Sequence, residues 1–165
     1  MAIVSKLQRA AGFGVLLGMV FLTFGNTAEA ASRKLPPQNP QAVASALIVR
    51  VVDGGTVVLD TGAEVRLTGI QAPKLPLGRK GFRAWPLAGK AKAVLETLSL
   101  RQRVRLEYTG RRHDRWGRLL AHLHTGDTWL QREMLIRGLA RVYTFSDNRK
   151  HATILYAAEQ TARAA

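Results

Sequence analysis

Two short stretches of the sequence concentrate side chains that can bind a phosphate group. RLTGIQAPK begins with Arg66 and ends with Lys74, and DRWGR carries Trp116 and ends with Arg118. An arginine can donate two parallel hydrogen bonds to one phosphate, a lysine supplies a compact charge, and a tryptophan can stack on a nucleobase. Simpler roles stay open for these residues. The arginines could be solvated residues on strands, Lys74 a surface lysine, and Trp116 a cover over an edge of the fold.

Two pairs containing histidine offer other chemistry. His122 and His124 are two residues apart, so a strand places both on one face, where they could ligate a transition metal. No third ligand is evident, and we predict no metal site. His113 and Asp114 could serve as a general base and its orienting carboxylate, although a loop pair of this kind is usually structural.

The apolar pattern predicts the strands that must position these residues. Three strands come before a loop rich in proline and glycine, and the third of them carries Arg66 on the face opposite to its apolar residues. Two more strands follow a helix and alternate between polar and apolar residues. We place the five strands at 46–52, 56–60, 63–69, 103–108 and 118–124.

Three helices are predicted as well. The first follows Pro86 and carries apolar residues at helical spacing. The second is short, begins at a capping box of Thr128 and Gln131 and ends at Gly138, and the third begins near Asp147. Five strands interrupted by a helix after the third favour an α+β, mainly β fold, namely a five-stranded Greek-key barrel of the OB type with three helices.

Residues 1–30 have the pattern of a secretory signal peptide. Two basic residues precede an apolar run of about 15 residues, which is shorter than the roughly 20 that span a bilayer, and Ala-Glu-Ala at 28–30 fits a cleavage site. We therefore predict export to the periplasm or the medium, with no integral membrane span after cleavage. The predicted domain boundaries are a signal peptide at 1–30, a flexible lead-in at 31–45 and one domain at 46–165.

The charge of the chain indicates its class of partner. The 165 residues carry a net charge of +14, and residues 31–165 keep 23 of the 25 basic and 10 of the 11 acidic residues, a net charge of +13. Such a surface attracts nucleic acid or another polyanion by releasing counterions. No cysteine is present, so disulfides are excluded. About 135 residues make one domain with a single modest core. We also expect a monomer.

Four ordered motifs resemble the staphylococcal nuclease (thermonuclease) family. They are VVDGGTVVL, RLTGIQAPK, DRWGRLLAHL and MLIRGLARV, and the likeness covers roughly residues 46–160. The resemblance implies an OB-fold barrel with three helices. Active members of that family are calcium-dependent phosphodiesterases that cut DNA and RNA.

The resemblance assigns binding roles to several residues. Arg66 and Arg118 match the two family arginines that clamp the phosphate. Arg115 and Trp116 match a lysine and a tyrosine that contact the nucleotide. Asp53 matches the first aspartate of the family's DGDT pattern, and a role in stabilising the Asp-Gly-Gly turn is equally open to it.

Three acidic positions of the family are absent. Gly55 and Gln71 stand where the family has aspartates that bind calcium, and Lys74 stands where it has the catalytic glutamate. If Asp53, Arg66, Lys74 and Arg118 converge, their charges sum to +2, whereas the usual family residues sum to −2. Because close charges interact by several kcal/mol at an effective dielectric of ~20, the altered pocket should attract phosphate. We therefore expect no required cofactor and at most weak calcium binding.

These features lead to one function and two alternatives. The first is an exported, thermonuclease-like protein that binds nucleic acid or phosphodiester polyanions through the arginine clamp, with calcium-dependent hydrolysis impaired or lost. The second is an active endo- or exonuclease with a rearranged or metal-independent site, in which Lys74 replaces the ion and Asp53 or His113 is the base. The third is an interaction or envelope-scaffold module that keeps only the barrel.

Overall fold

A computed structural model describes residues 44–165. The predictions made for residues 1–43, the signal peptide and most of the lead-in, lie outside the described residues. Within the described range, no helix is long and apolar enough to cross a membrane. In chain order the elements are β1 (Ala44–Asp53), β2 (Thr56–Leu59), β3 (Glu64–Leu67), β4 (Ile70–Gln71), α1 (Ala88–Ser99), β5 (Arg103–Glu107), β6 (Leu119–Thr125), β7 (Thr128–Trp129), α2 (Leu130–Ile136), β8 (Arg141–Val142) and α3 (Ala152–Ala164).

Five of the strands close into a barrel. Antiparallel pairings connect β3, β2, β1, β5 and β6 in that order, and a parallel pairing of β3 with β6 closes the ring. The long strand β1 pairs with β5 through its first half and with β2 through its second, and register shifts on either side of Arg50 accompany this change of partner. This confirms the prediction of a five-stranded OB-type barrel packed by three helices.

Alternation along β3 and β5 directs their apolar residues into the barrel interior. Val65 and Leu67 on β3 and Val104 and Leu106 on β5 are buried in one apolar core, and the polar residues between them point outwards. The same alternation leaves Arg66 on the outer face of β3, as predicted. Helix α1 packs against β1, and α2 lies between the barrel and α3.

Two predicted helix starts are wrong. Gln131 forms no capping box with Thr128, because it is buried: its side chain accepts a hydrogen bond from the Leu123 N–H at 3.1 Å and donates to the Ala121 carbonyl at 2.9 Å. Helix α3 begins at Ala152, because residues 146–151 form turns and irregular backbone before it.

A two-stranded ribbon lies beside the barrel. Strands β4 and β8 pair antiparallel, with Ile70 opposite Val142 and Gln71 opposite Arg141. The Tyr143 N–H donates to the Gly69 carbonyl at 2.9 Å and extends the pairing. The ribbon therefore fixes the chain after α2 against the segment that follows Arg66.

Candidate nucleic-acid interface

The guanidinium of Arg66 is held by neighbouring oxygens. Nη1 donates to the Gly55 carbonyl at 2.9 Å, and Nη2 donates to the Ile70 carbonyl at 2.8 Å. Two longer contacts go from Nη1 to the Leu67 carbonyl at 3.4 Å and from Nη2 to Gln71 Oε1 at 3.3 Å. The two short bonds fix the guanidinium, and the two long ones are weak enough to be exchanged for bonds to a ligand.

Charges of both signs surround Arg66. Burial lowers the pKa of Arg66 below its usual value, and the positive charge of Arg118 acts in the same direction, while the Asp53 and Asp114 carboxylates oppose them. An arginine keeps its proton under such conditions. In the parallel pairing of β3 with β6, Arg66 is opposite Leu120, so Arg118 lies two residues before that position on the neighbouring chain segment.

Arg118 is fixed by the tight turn that precedes β6. Its Nε and Nη2 both lie 2.7 Å from Asp114 Oδ2, while Asp114 Oδ1 accepts from the backbone N–H groups of Trp116 and Arg118 at 2.9 and 3.0 Å. Burial alone raises the pKa of Asp114, but these hydrogen bonds outweigh it and hold the pKa below its usual value. The Asp114 carboxylate is thus directed at Arg118 and orients it, rather than orienting the exposed His113 as a base.

Trp116 is the most exposed large apolar residue near this turn, with 65% of its surface accessible. The guanidinium carbon of Arg115 lies 4.0 Å from the ring centre, and that of Arg118 lies 5.1 Å from it. Cation–π contacts at these distances hold the indole beside the arginine pair. An accessible aromatic face between two cations is suited to stacking on a nucleobase.

Asp53 and Gly55 form a tight turn at the other side of Arg66. Asp53 Oδ1 accepts a hydrogen bond from the Gly55 N–H at 2.8 Å, so Asp53 stabilises the turn. A Cβ added to Gly55 would collide with Arg66 Nη1. Arg66 therefore fills the space into which a side chain at position 55 would extend.

The side chains of Gln71 and Lys74 have different neighbours. Gln71 turns towards Arg66, and its Nε2 donates to the Ala72 carbonyl at 2.8 Å. Lys74 is exposed, and its Nζ lies 5.4 Å from the centre of the Trp85 ring. The structure therefore brings Gln71, and not the Lys74 ammonium, into hydrogen-bonding contact with Arg66.

The residues at this site do not fit a calcium ion. Calcium takes six to eight oxygen ligands, among them carboxylates, yet position 55 has no side chain and the oxygens of Gly55, Ile70 and Gln71 already accept bonds from Arg66. Within residues 44–165, no three histidine or acidic side chains are arranged to hold a metal. A fixed guanidinium stands beside the oxygens that a cation would need.

His122 and His124 belong to a separate cluster under α3. The His122 ring packs against those of Trp129 and His151, with centroids 5.3 and 5.0 Å away, and Glu107 lies 3.3 Å from His124 Nε2 and 2.8 Å from His151 Nε2. His151 and Glu107 were missed by the sequence reasoning, because they come from distant segments. Ring-to-ring packing, rather than converging nitrogens, joins the histidines.

Two further residues reach the site through the ribbon. Tyr143 is exposed, and its backbone N–H is bonded to the Gly69 carbonyl, three residues after Arg66. Arg141 is opposite Gln71 in the β4–β8 pairing and therefore shares its face. Arg141 belongs to the MLIRGLARV motif, but only the pairing of these two short strands places it beside Gln71.

Comparison with known proteins agrees with this architecture. The family model described as "Staphylococcal nuclease homologue" matches residues 64–165. The chain is 32% identical to a thermonuclease of Staphylococcus intermedius over 123 residues, which cover 72% of this chain and 71% of that protein. It is 27% identical to a thermonuclease of Staphylococcus hyicus over 119 residues, 70% of this chain and 69% of that protein. The chain therefore belongs to the family of staphylococcal nuclease homologues.

Proposed function

We propose that this protein binds nucleic acid, or another phosphodiester polyanion, through Arg66 and Arg118, and that its calcium-dependent hydrolysis is impaired or lost. The bonds to Asp114 use Nε and Nη2 of Arg118, which leaves Nη1 for a phosphate oxygen. Arg66 can exchange its two long contacts for a second phosphate oxygen. Two positive charges then neutralise one phosphate, and the exposed Trp116 is beside them for a base.

The position of the Arg66 guanidinium carries the second half of the proposal. Phosphodiester hydrolysis needs a polarised phosphate, an activated water and stabilisation of the transition-state charge. The arginines can polarise the phosphate and stabilise the transition-state charge. At position 74 a lysine replaces the acid that could activate the water, and Arg66 is bonded to the oxygens that would face a divalent ion.

A nuclease assay in parallel with a binding assay tests this proposal. We expect the purified protein to retard single-stranded DNA equally in calcium and in EDTA, with retardation falling steeply as salt rises. We expect calcium to add no cleavage comparable to that of the thermonucleases. An Arg66→Ala, Arg118→Ala double variant serves as the control for binding at the site.

Three results would contradict the proposal in different ways. Strong calcium-dependent cleavage by the unmodified protein would show that the metal site works despite its residues. Strong cleavage in EDTA would favour a metal-independent phosphodiesterase in which Lys74 replaces the ion. Absence of nucleic-acid binding altogether would favour an interaction or scaffold role.

A further inference from the structure

One face of the β4–β8 ribbon extends the site on both sides of Arg66. Gln71 Oε1 contacts Arg66 Nη2, and Arg141, opposite Gln71, projects from the same face. Tyr143 lies two residues further on, beside Gly69, and alternation returns it to that face. Arg66 thus faces the middle of the ribbon, with Tyr143 at one end.

A groove opens at the opposite end of the ribbon from Tyr143. Its volume is about 260 Å³ and its lining is mainly apolar. Pockets for drug-sized ligands run from about 300 to 1,000 Å³, so this groove suits a single planar ring system. The residues that line it include Gln71, Ala72, Pro73, Trp85, Ala140 and Arg141.

Trp85 provides an aromatic wall for the groove. Its backbone N–H donates to the Lys74 carbonyl at 2.9 Å, which ties it to the segment that follows Gln71. The residue is 42% exposed, and the Lys74 ammonium is 5.4 Å from the ring centre. Lys74 and Arg141 therefore provide positive charge beside an accessible indole.

We propose that this groove binds one nucleobase of a nucleic-acid strand, stacked on Trp85, in the nucleotide next to the phosphate held by Arg66 and Arg118. An apolar slot with one aromatic wall and two flanking cations matches a planar base joined to phosphates. Gln71 belongs both to the groove and to the contacts of Arg66, so the two sites are continuous. This inference rests on the proposed function, because it requires a strand on the arginines.

The test compares two oligonucleotides that differ only in their bases. Binding of a fluorescently labelled thymidine tetranucleotide and of an abasic tetramer with the same phosphates is measured by anisotropy in EDTA. Because stacking contributes ~1–3 kcal/mol per base, we expect Trp85→Ala to weaken binding of the thymidine tetranucleotide roughly 5- to 100-fold. We expect Trp85→Phe to retain most of the affinity, and binding of the abasic tetramer to be unchanged in both variants.

Two controls make the result specific. Tyr156→Ala removes a half-exposed aromatic residue on α3, outside the groove lining, and should change neither affinity. Unchanged binding of the abasic tetramer shows that Trp85→Ala is folded. Equal affinity of Trp85→Ala and the unmodified protein for the thymidine tetranucleotide would overturn the groove inference, while weaker binding by Arg66→Ala would leave the proposed function standing. Failure of the unmodified protein to bind either oligonucleotide would overturn both.

Discussion

In the proposed phosphate-binding site, Arg66 has two roles. Its guanidinium supplies the charge for an anion, and it also bonds the Gly55 and Ile70 carbonyls that would otherwise face a cation. Arg118 differs, because a carboxylate rather than backbone oxygens holds it. The two arginines should therefore respond differently to substitution.

Replacing either arginine with alanine should weaken binding of a nucleoside bisphosphate. We expect a loss of about 1–3 kcal/mol for each variant, because each removes charged hydrogen bonds to phosphate. Arg→Lys should restore only part of the affinity, since lysine cannot make the two-pronged contact. Isothermal titration calorimetry of the four variants measures these differences.

Thermal unfolding of the same variants separates binding from folding. Arg66→Ala should also lower the midpoint temperature of thermal unfolding, because the partly buried Gly55 and Ile70 carbonyls lose the guanidinium that donates hydrogen bonds to them. Unchanged affinity in both alanine variants would contradict the proposed site. Binding of long polyanions through the overall charge should survive either substitution and should fall with salt.

Calcium affinity should return only when several positions change together. We expect the combined Gly55→Asp, Gln71→Asp and Lys74→Glu variant to bind calcium, because three carboxylates return and one ammonium leaves. Gly55→Asp alone should bind none, since the new carboxylate lies against Arg66 Nη1 and would pair with it. Calorimetric titration with calcium measures both. Equal calcium binding by Gly55→Asp and the triple variant would contradict the role given to Arg66.

At the scale of elements, a cluster of histidines lies where the start of α3 meets β5 and β6: His151, which precedes α3, contacts Glu107 and His122. Neither ring nitrogen of His122 has a hydrogen-bond partner among the described residues. Burial lowers the pKa of His122 to about 3, and the positive charge of His151 adds to the effect. The buried ring is therefore neutral when the protein is folded near neutral pH, and protonation opposes the packing of α3.

The free energy of unfolding should fall on acidification. His122 takes up a proton below pH 6.5 in the unfolded chain but only near pH 3 in the folded one. The contribution of His122 to the free energy of unfolding is therefore complete above pH 6.5 and is lost as pH falls towards 3. His124, with a lowered pKa, acts in the same direction. We expect His122→Leu to reduce the fall between pH 6.5 and 4.5 by about 2–3 kcal/mol, measured by urea unfolding across that range.

Other titratable groups around His122 also influence its pKa and the pH dependence of stability. His151, Glu107, His124 and Lys150 all influence it. Burial raises the pKa of Glu107, but hydrogen bonds from His151 and Lys150 outweigh this and bring it to about 2, so Glu107 contributes to acid sensitivity only below about pH 4.5. His113→Gln, at an exposed histidine, is the matched control. An identical pH slope in His122→Leu and the unmodified protein would contradict the assignment.

At the scale of the whole molecule, we propose that the chain is exported. The pattern of residues 1–30 predicts cleavage after Ala30 and a mature N-terminus at Ala31. Mass spectrometry of the protein recovered from the cell envelope or the medium measures this terminus. Recovery of the intact chain, beginning at Met1, from the cytoplasm would contradict export.

The sequence by itself determined the five-stranded barrel. Alternating apolar residues on β3 and β5 can face only one interior, and this periodicity is a local property. The resemblance of four motifs to the staphylococcal nuclease family, and not the residue pattern alone, implied the roles of Arg66 and Arg118 and the absence of acids at positions 55, 71 and 74.

The tertiary structure decided what the local pattern leaves undetermined. Gln131 suits a capping box by its spacing, but burial beside β6 gives its amide backbone partners instead. The pairing of β4 with β8 brings Arg141 to Gln71, and the docking of α3 brings His151 to Glu107. These contacts join residues far apart in the chain, and no short-range periodicity specifies them, because their energy exists only once the barrel has assembled.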